Sequence, residues 1–231
     1  MFGGWTAAVA LSAVLADSDG SAVPASMTVN FVDQIRPGDD LVVRTRRVGG
    51  GRSVGHWHCE VTSRAGDTLV VASVVLASRR DTDGRVEVTM PEAGAPESIA
   101  VVPAAPGPMG ERTTVRPVIG FPPFSHESSY SLAWVREITS GALDHRQLSY
   151  LADHRPPRSF YWSDGPRLSA TLSLTISFHA TAEELVAVGD DELLSEAFGV
   201  RGSQSLSEEH LRLWSRQGTL LATSVQMGWY R

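Results

Sequence analysis

The side chain best placed to move a proton is Asp153, in the stretch Leu143-Asp-His-Arg-Gln-Leu-Ser-Tyr-Leu-Ala-Asp153-His-Arg-Pro-Pro157. Leu143, Leu148, Tyr150, Leu151 and Ala152 supply one apolar stripe, and Pro156 cannot continue a helical hydrogen-bond ladder. The stretch therefore reads as a short helix with Asp153 near its end. A carboxylate at the negative end of a helix is misplaced by roughly 0.3–1 kcal/mol, so something other than helix stability has to keep it there. A solvated aspartate in the turn is the plain alternative. Set against apolar surface instead, such a carboxyl has its pKa raised and can take a proton from water near neutral pH.

Three other groups invite chemistry and carry less. Gly51-Arg-Ser-Val-Gly55 matches the nucleophile-elbow spacing of serine hydrolases, but the residues after it read as a strand, where that motif needs a helix. His56 and His58 share one strand face with no third ligand spaced nearby, so no metal is expected. No Gly-rich phosphate loop follows a strand, and no cofactor is expected.

The bulk numbers narrow the classes. With 231 residues, 42% hydrophobic and 20% charged, the chain can bury a large core. Net charge is -6, all 20 basic residues are arginines, and no basic run could follow a phosphate backbone, which argues against nucleic acid as a partner. Cys59 is the lone cysteine, so no intrachain disulfide can form and a reducing cytoplasm is the simple expectation. The apolar opening through Leu15 lacks the positive start of a secretory signal, with Asp17 and Asp19 close behind. No apolar run reaches the ~20 residues a membrane span needs.

Elements must bring distant residues to Asp153. Residues 2–16 read as a helix that is apolar nearly all round and thin-waisted, with Gly3, Gly4, Ala7, Ala8, Ala10 and Ala13. Strands follow over 25–32, 41–48, 56–62 and 68–78, with a hairpin at Gly49 to Gly51 and a turn at Gly66. Residues 80 to about 124 are rich in proline and read as a surface linker. Beyond it, 130–138 reads as a strand, 182–188 as a helical turn, 192–200 as a strand and 208–230 as a closing hairpin around Gly218. From Leu168 to Phe178, Leu172, Leu174, Ile176 and Phe178 alternate with Thr171, Ser173, Thr175 and Ser177, placing Thr171 opposite the leucines.

The two halves repeat. Val61 to Val75 lies beside Leu213 to Gln226 with one residue fewer in the second copy, Ser26 to Phe31 beside Ser173 to Phe178, and Leu15 to Asp17 beside Leu151 to Asp153. Each half is a helix followed by antiparallel strands. A helix with so little polar surface is buried only if the sheet wraps it.

This wording resembles the acyl-CoA thioesterases of the thioesterase II (TesB-like) type. The matching pieces are Phe2-Gly-Gly4, Arg36-Pro-Gly-Asp39, Gly51-Arg-Ser53, Met90-Pro and Pro96-Glu97, then Leu151-Ala-Asp-His154, Ala170-Thr171, Phe178-His179 and Ser224-Val-Gln226. The resemblance runs the whole length and implies an α+β, double hotdog fold. It implies an N-terminal hotdog over 1–80, without the strand such proteins carry ahead of the first helix, a linker over 81–124 and a C-terminal hotdog over 125–231. It further implies hydrolysis of an acyl-CoA or acyl carrier protein thioester by water held at Asp153, Thr171 and Gln226. The loop from Asp153 to Thr171 is shorter than the family's.

Thioester hydrolysis needs a held water, a base and donors for the oxyanion, and no metal. Backbone N–H groups at the first helix start, where Gly3 and Gly4 would let a substrate approach, are the expected oxyanion site. The first half offers Asp17, Pro24 and Val75 at the matching positions, so one complete site per chain is expected. A hotdog dehydratase would carry a histidine five residues after its aspartate, where this chain has Arg158. A binding or assembly module without hydrolysis is the remaining alternative. Hotdog sheets commonly associate, so a homo-oligomer is a further expectation.

Overall fold

The computed structural model describes residues 2–102, 108–138 and 141–231, without the side chains of 108 and 109. The first half is α1 (Gly3–Asp17), β1 (Val23–Phe31), β2 (Leu41–Gly50), β3 (Val54–Ser63) and β4 (Thr68–Ala77). A short helix, α2 (Pro108–Arg112), leads into β5 (Thr113–Ile119) and β6 (Ser131–Glu137). Then come α3 (His145–Leu151), α4 (Arg158–Tyr161), β7 (Ser169–Phe178), α5 (Ala182–Val188), β8 (Leu193–Ser203), β9 (Leu206–Trp214) and β10 (Leu220–Tyr230).

All ten strands form one antiparallel sheet, ordered β2-β3-β4-β1-β7-β10-β9-β8-β6-β5. The halves join where β1 lies against β7, Ser26 opposite Ser177 and Asn30 opposite Ser173. Ala7, Ala10, Leu11 and Val14 of α1 are wholly buried, as are Leu148 and Ser149 of α3. Small side chains on α1 let strands and the second helix close on it from several sides. A sheet curled around two buried helices is the double hotdog arrangement. Among the described residues no helix is long and apolar enough to cross a membrane.

The two helices start differently. Asp144 caps α3, its side chain accepting from the Gln147 N–H while the Gln147 side chain accepts from the Asp144 N–H. Phe2 precedes α1 with no side-chain cap at all, so the first N–H groups of α1 are left for another partner.

The proline-rich segment does more than connect. Val88, Met90, Ala93 and Ile99 pack on a second apolar cluster of Leu132, Trp134, Leu194 and Trp214. Trp134 Nε1 donates to the Gly94 carbonyl at 2.8 Å, and Arg216 holds Glu97 through two bonds of 2.6 and 2.7 Å. The end of the segment, β5, pairs with β6 at one edge of the sheet. Pro103 and Pro106 lie outside the described residues.

Strand β7 departs from the regular alternation expected of it. Ser173 faces Met227 across the ladder, but Gly228 faces Thr171, so Leu172 is an extra, unpaired residue. Such a bulge sends the residues beyond it to the opposite face. Thr171 therefore shares the inward face with Leu174 rather than the outward face with Ser173. Burial agrees: Leu174 is 0% exposed and Leu172 is 40% exposed.

Candidate active site

Asp153 sits just past the end of α3 and is buried. The electrostatic misfit read from sequence is resolved by the other helix, because the Gly4 N–H at the uncapped start of α1 donates to Asp153 Oδ2 at 2.8 Å. The carboxylate lies at the positive end of α1, where negative charge is favoured. Both glycines are required by this approach. A Cβ on Gly3 would stand 2.6 Å from Asp153 Oδ2, and one on Gly4 would stand 2.4 Å from the Tyr150 carbonyl. The Gly4 N–H is thus engaged by Asp153 and is not a free oxyanion donor, while Gly3 lines the cleft.

Thr171 and Gln226 come to the same place. Gln226 Nε2 donates to Thr171 Oγ1 at 2.6 Å, and the Gln226 side chain also hydrogen-bonds Asp153. Since Thr171 Oγ1 accepts from Gln226, its own proton is free to point elsewhere. With Gly3 and Asp153, these residues line a cavity of about 860 Å³ whose apolar walls include Phe2, Phe31, Ile35 and Phe160. The walls draw on both halves of the chain.

The surroundings tune the acid. Burial, and then the charge of Glu209, push Asp153 up to about 7, against hydrogen bonds from Gly4 and Gln226 that pull it down. Neighbouring His154 is driven the other way, to about 3, by burial and then by Arg155. It is neutral at physiological pH, with Nδ1 bonded to the Leu151 carbonyl at 2.5 Å.

Glu209, Arg155 and Arg158 also stand here; reading the sequence passed over the first two and named Arg158 only as a departure from the dehydratase pattern. Glu209 and Arg155 line the cleft, and Arg158, 0% exposed, bonds Glu209. Glu209 lies opposite Gln226 only because Leu221 is an extra residue in the hairpin that turns at Gly218, and counting back through that turn from sequence would stop at Glu208 instead. The arginines carry no signal either, because in sequence they look like exposed loop residues.

The first half has no equivalent cleft residues, and the pairing of the repeats needs one correction. Ser63 N to Asp67 O and Ser215 N to Thr219 O close turns of equal length, and the same extra residue, Leu69 or Leu221, follows each. No residue is missing from the second copy, and the counterpart of Gln226 is Val74, not Val75. Val74 is wholly buried. Pro24 matches Thr171 beside a bulge at Ala25, and Asp17 is exposed and accepts a hydrogen bond from Thr45. Arg79 donates to the carbonyls of Phe178, at 2.6 Å, and Pro24, at 3.5 Å, bridging β7 and β1 at this position.

Ser53 lies in the turn between β2 and β3 and accepts from Arg80 at 2.8 Å, with no helix after it. Among the described residues no three His, Cys, Asp or Glu side chains are grouped to hold a metal.

The match to known proteins follows the same division. The family model for the acyl-CoA thioesterase N-terminal domain matches residues 1–77, and the model for the C-terminal domain matches residues 85–230. The chain belongs to the acyl-CoA thioesterase family. It is a thioester hydrolase by that membership. Among solved structures, this thioesterase is similar to a hot dog fold protein of unknown function from Alicyclobacillus acidocaldarius. The identity is 27%, the TM-score 0.92, and the match covers 100% of this chain and 87% of the other. The tesB protein of Mycobacterium avium subs paratuberculosis shares the fold at 18% identity and TM-score 0.82, over 100% and 87% of the two chains. An acyl-CoA thioesterase II from Mycobacterium marinum does so at 18% identity and TM-score 0.74, over 100% and 89%. No curated protein matches the sequence.

Proposed function

We propose that this thioesterase hydrolyses an acyl-CoA with water activated by Asp153 and held by Thr171 and Gln226. The observation that carries the reading is the convergence of these three side chains, 73 residues apart at the extremes of Asp153 and Gln226, on one apolar-walled cleft. The acyl chain lies along the Phe2, Phe31 and Phe160 walls. The Asp153 carboxylate takes a proton from the water as its oxygen attacks the thioester carbonyl carbon. Positive charge at the α1 N-terminus and the Thr171 hydroxyl, turned away from Gln226, stabilise the oxyanion. When the C–S bond breaks, the sulfur leaves with the bonding pair and takes the proton held by Asp153. The products are a carboxylic acid and CoASH, and no covalent enzyme intermediate is formed.

The test is release of free thiol from acyl-CoA substrates of graded chain length. Turnover is expected, and Asp153→Asn should lower kcat by about 10²–10⁴-fold. A folded protein that binds acyl-CoA and never liberates CoASH would overturn the reading.

A further inference from the structure

Two carboxyls stand at this site. Glu209 in β9 lies opposite Gln226 in β10 and lines the same cleft as Asp153 and Thr171. Glu209, Asp153 and Gln226 also border a second cavity of about 10 Å³, roughly the room one water needs.

The partners of the two carboxyls differ. Arg158 is wholly buried, so its charge requires an anion and its N–H groups require acceptors. Nε donates to Glu209 Oε2 at 3.0 Å, Nη1 to the Ser129 carbonyl and Ser131 Oγ at 2.8 Å each, and Nη2 to the Pro156 carbonyl at 2.7 Å. The guanidinium also lies 4.3 Å from the Tyr161 ring centre. Held on every side, Arg158 fixes Glu209 in turn. The Arg155 charge also acts on Glu209. Asp153 has hydrogen bonds from Gly4 and Gln226 instead.

We propose that Glu209 is a positioning residue for hydrolysis, an anion clamped by Arg158 beside Asp153 that leaves Asp153 as the carboxyl carrying the transferable proton. The inference rests on Asp153 being the base. When two carboxyls share a site, ionising one makes the second harder to ionise, and the one paired with a guanidinium ionises first. Burial lifts both groups and prevails at Glu209 as well, but Arg158 and Arg155 oppose it there, whereas at Asp153 the Glu209 charge adds to it. From the other elements, α1 brings the Gly4 N–H to Asp153 and β10 brings Gln226, neither of them charged. The loop after α3 brings Arg155 to both cavities, with His154 next to Asp153 in the chain, β9 also brings His210, and Asp33 lines the cleft. Among these the Glu209 charge is the one that raises Asp153.

Glu209→Gln keeps an oxygen for Arg158 and removes the charge. The acid limb of its kcat/KM profile should move to lower pH by about half a pH unit or more, and the plateau should fall several-fold as the base weakens. Glu209→Asp, which retains the charge, should keep the limb in place. A merely structural role would lower stability or the plateau without moving the limb, and an unmoved limb in folded Glu209→Gln overturns the proposal. Carbon-13 NMR titration of the unsubstituted protein gives a second readout that needs neither turnover nor a variant. Asp153 should titrate at higher pH than Glu209, and the reverse order overturns the proposal. If Asp153→Asn kept full turnover, the base assignment would fall, while the titration order would still report on Glu209.

Discussion

Asp153 is held protonated far above the usual carboxylate range, and this has opposite consequences for activity and stability. With its pKa raised from 3.8 to about 7, the reaction it serves should accelerate as pH rises through about 7. The native chain holds this proton more tightly than the unfolded chain does. The sign for stability is therefore negative: the Asp153 contribution is lost as pH climbs from about 4 to about 7. Asp153→Asn keeps an acceptor for the Gly4 N–H without the buried charge, so its Tm at about pH 8 should exceed that of the unsubstituted protein while kcat falls. Thermal unfolding of the two proteins at that pH decides it, and a lower Tm for the variant would count against the burial argument. The glycines make a complementary case. Gly4→Ala forces a methyl group against the Tyr150 carbonyl and should cost about 1–3 kcal/mol in denaturant unfolding. Gly3→Ala meets the Asp153 carboxylate itself, so its effect should be larger on kcat than on stability.

At the scale of elements, β7 shows what periodicity can and cannot convey. The alternation of Leu174, Ile176 and Phe178 with serines and threonines reveals a strand, and the strand is there. The residue where its register slips is set by pairing with β10, and no pattern inside β7 carries that information. Leu172 and Leu174 look equivalent in sequence yet differ from 40% to 0% exposed. Leu174→Ala should accordingly cost about 2–5 kcal/mol in denaturant unfolding, and Leu172→Thr less than about 1 kcal/mol. The same bulge points Thr171 into the cleft. Thr171→Val should lower kcat with an unchanged fold, whereas Ser173→Val, on the outward face, should leave kcat as it is. The helices were legible for a different reason: the small, apolar composition of α1 leaves it no option but burial, and the apolar stripe of Leu148, Tyr150 and Leu151 marks α3, although that helix ends at Leu151, ahead of Pro156. Glu209 and Arg158 were not, since a charged residue reads as surface until the fold supplies its partner.

Across the whole molecule, the proline-rich segment acts as a strap over one part of the sheet's outer surface. Trp134 is 2% exposed and is covered by it, with the indole bonded to Gly94. Trp134→Ala should cost about 3–5 kcal/mol, and Trp134→Phe, which loses chiefly one hydrogen bond, about 1 kcal/mol. Equilibrium unfolding of the pair separates packing from the bond. The repeat was visible from matched segments in the two halves. Its exact pairing was not, because the extra residues Leu69 and Leu221 show only in the ladders.

The Arg79 bonds to the Phe178 and Pro24 carbonyls tie the first half's counterpart of the Thr171 position to β7, and this bears on stoichiometry. Duplicated architecture would suggest two equivalents of ligand, but at the positions matching Thr171 and Gln226 the first half has Pro24 and the wholly buried Val74, neither of which can hold a water. Calorimetric titration with a non-hydrolysable thioether analogue of acyl-CoA should saturate at one equivalent per polypeptide.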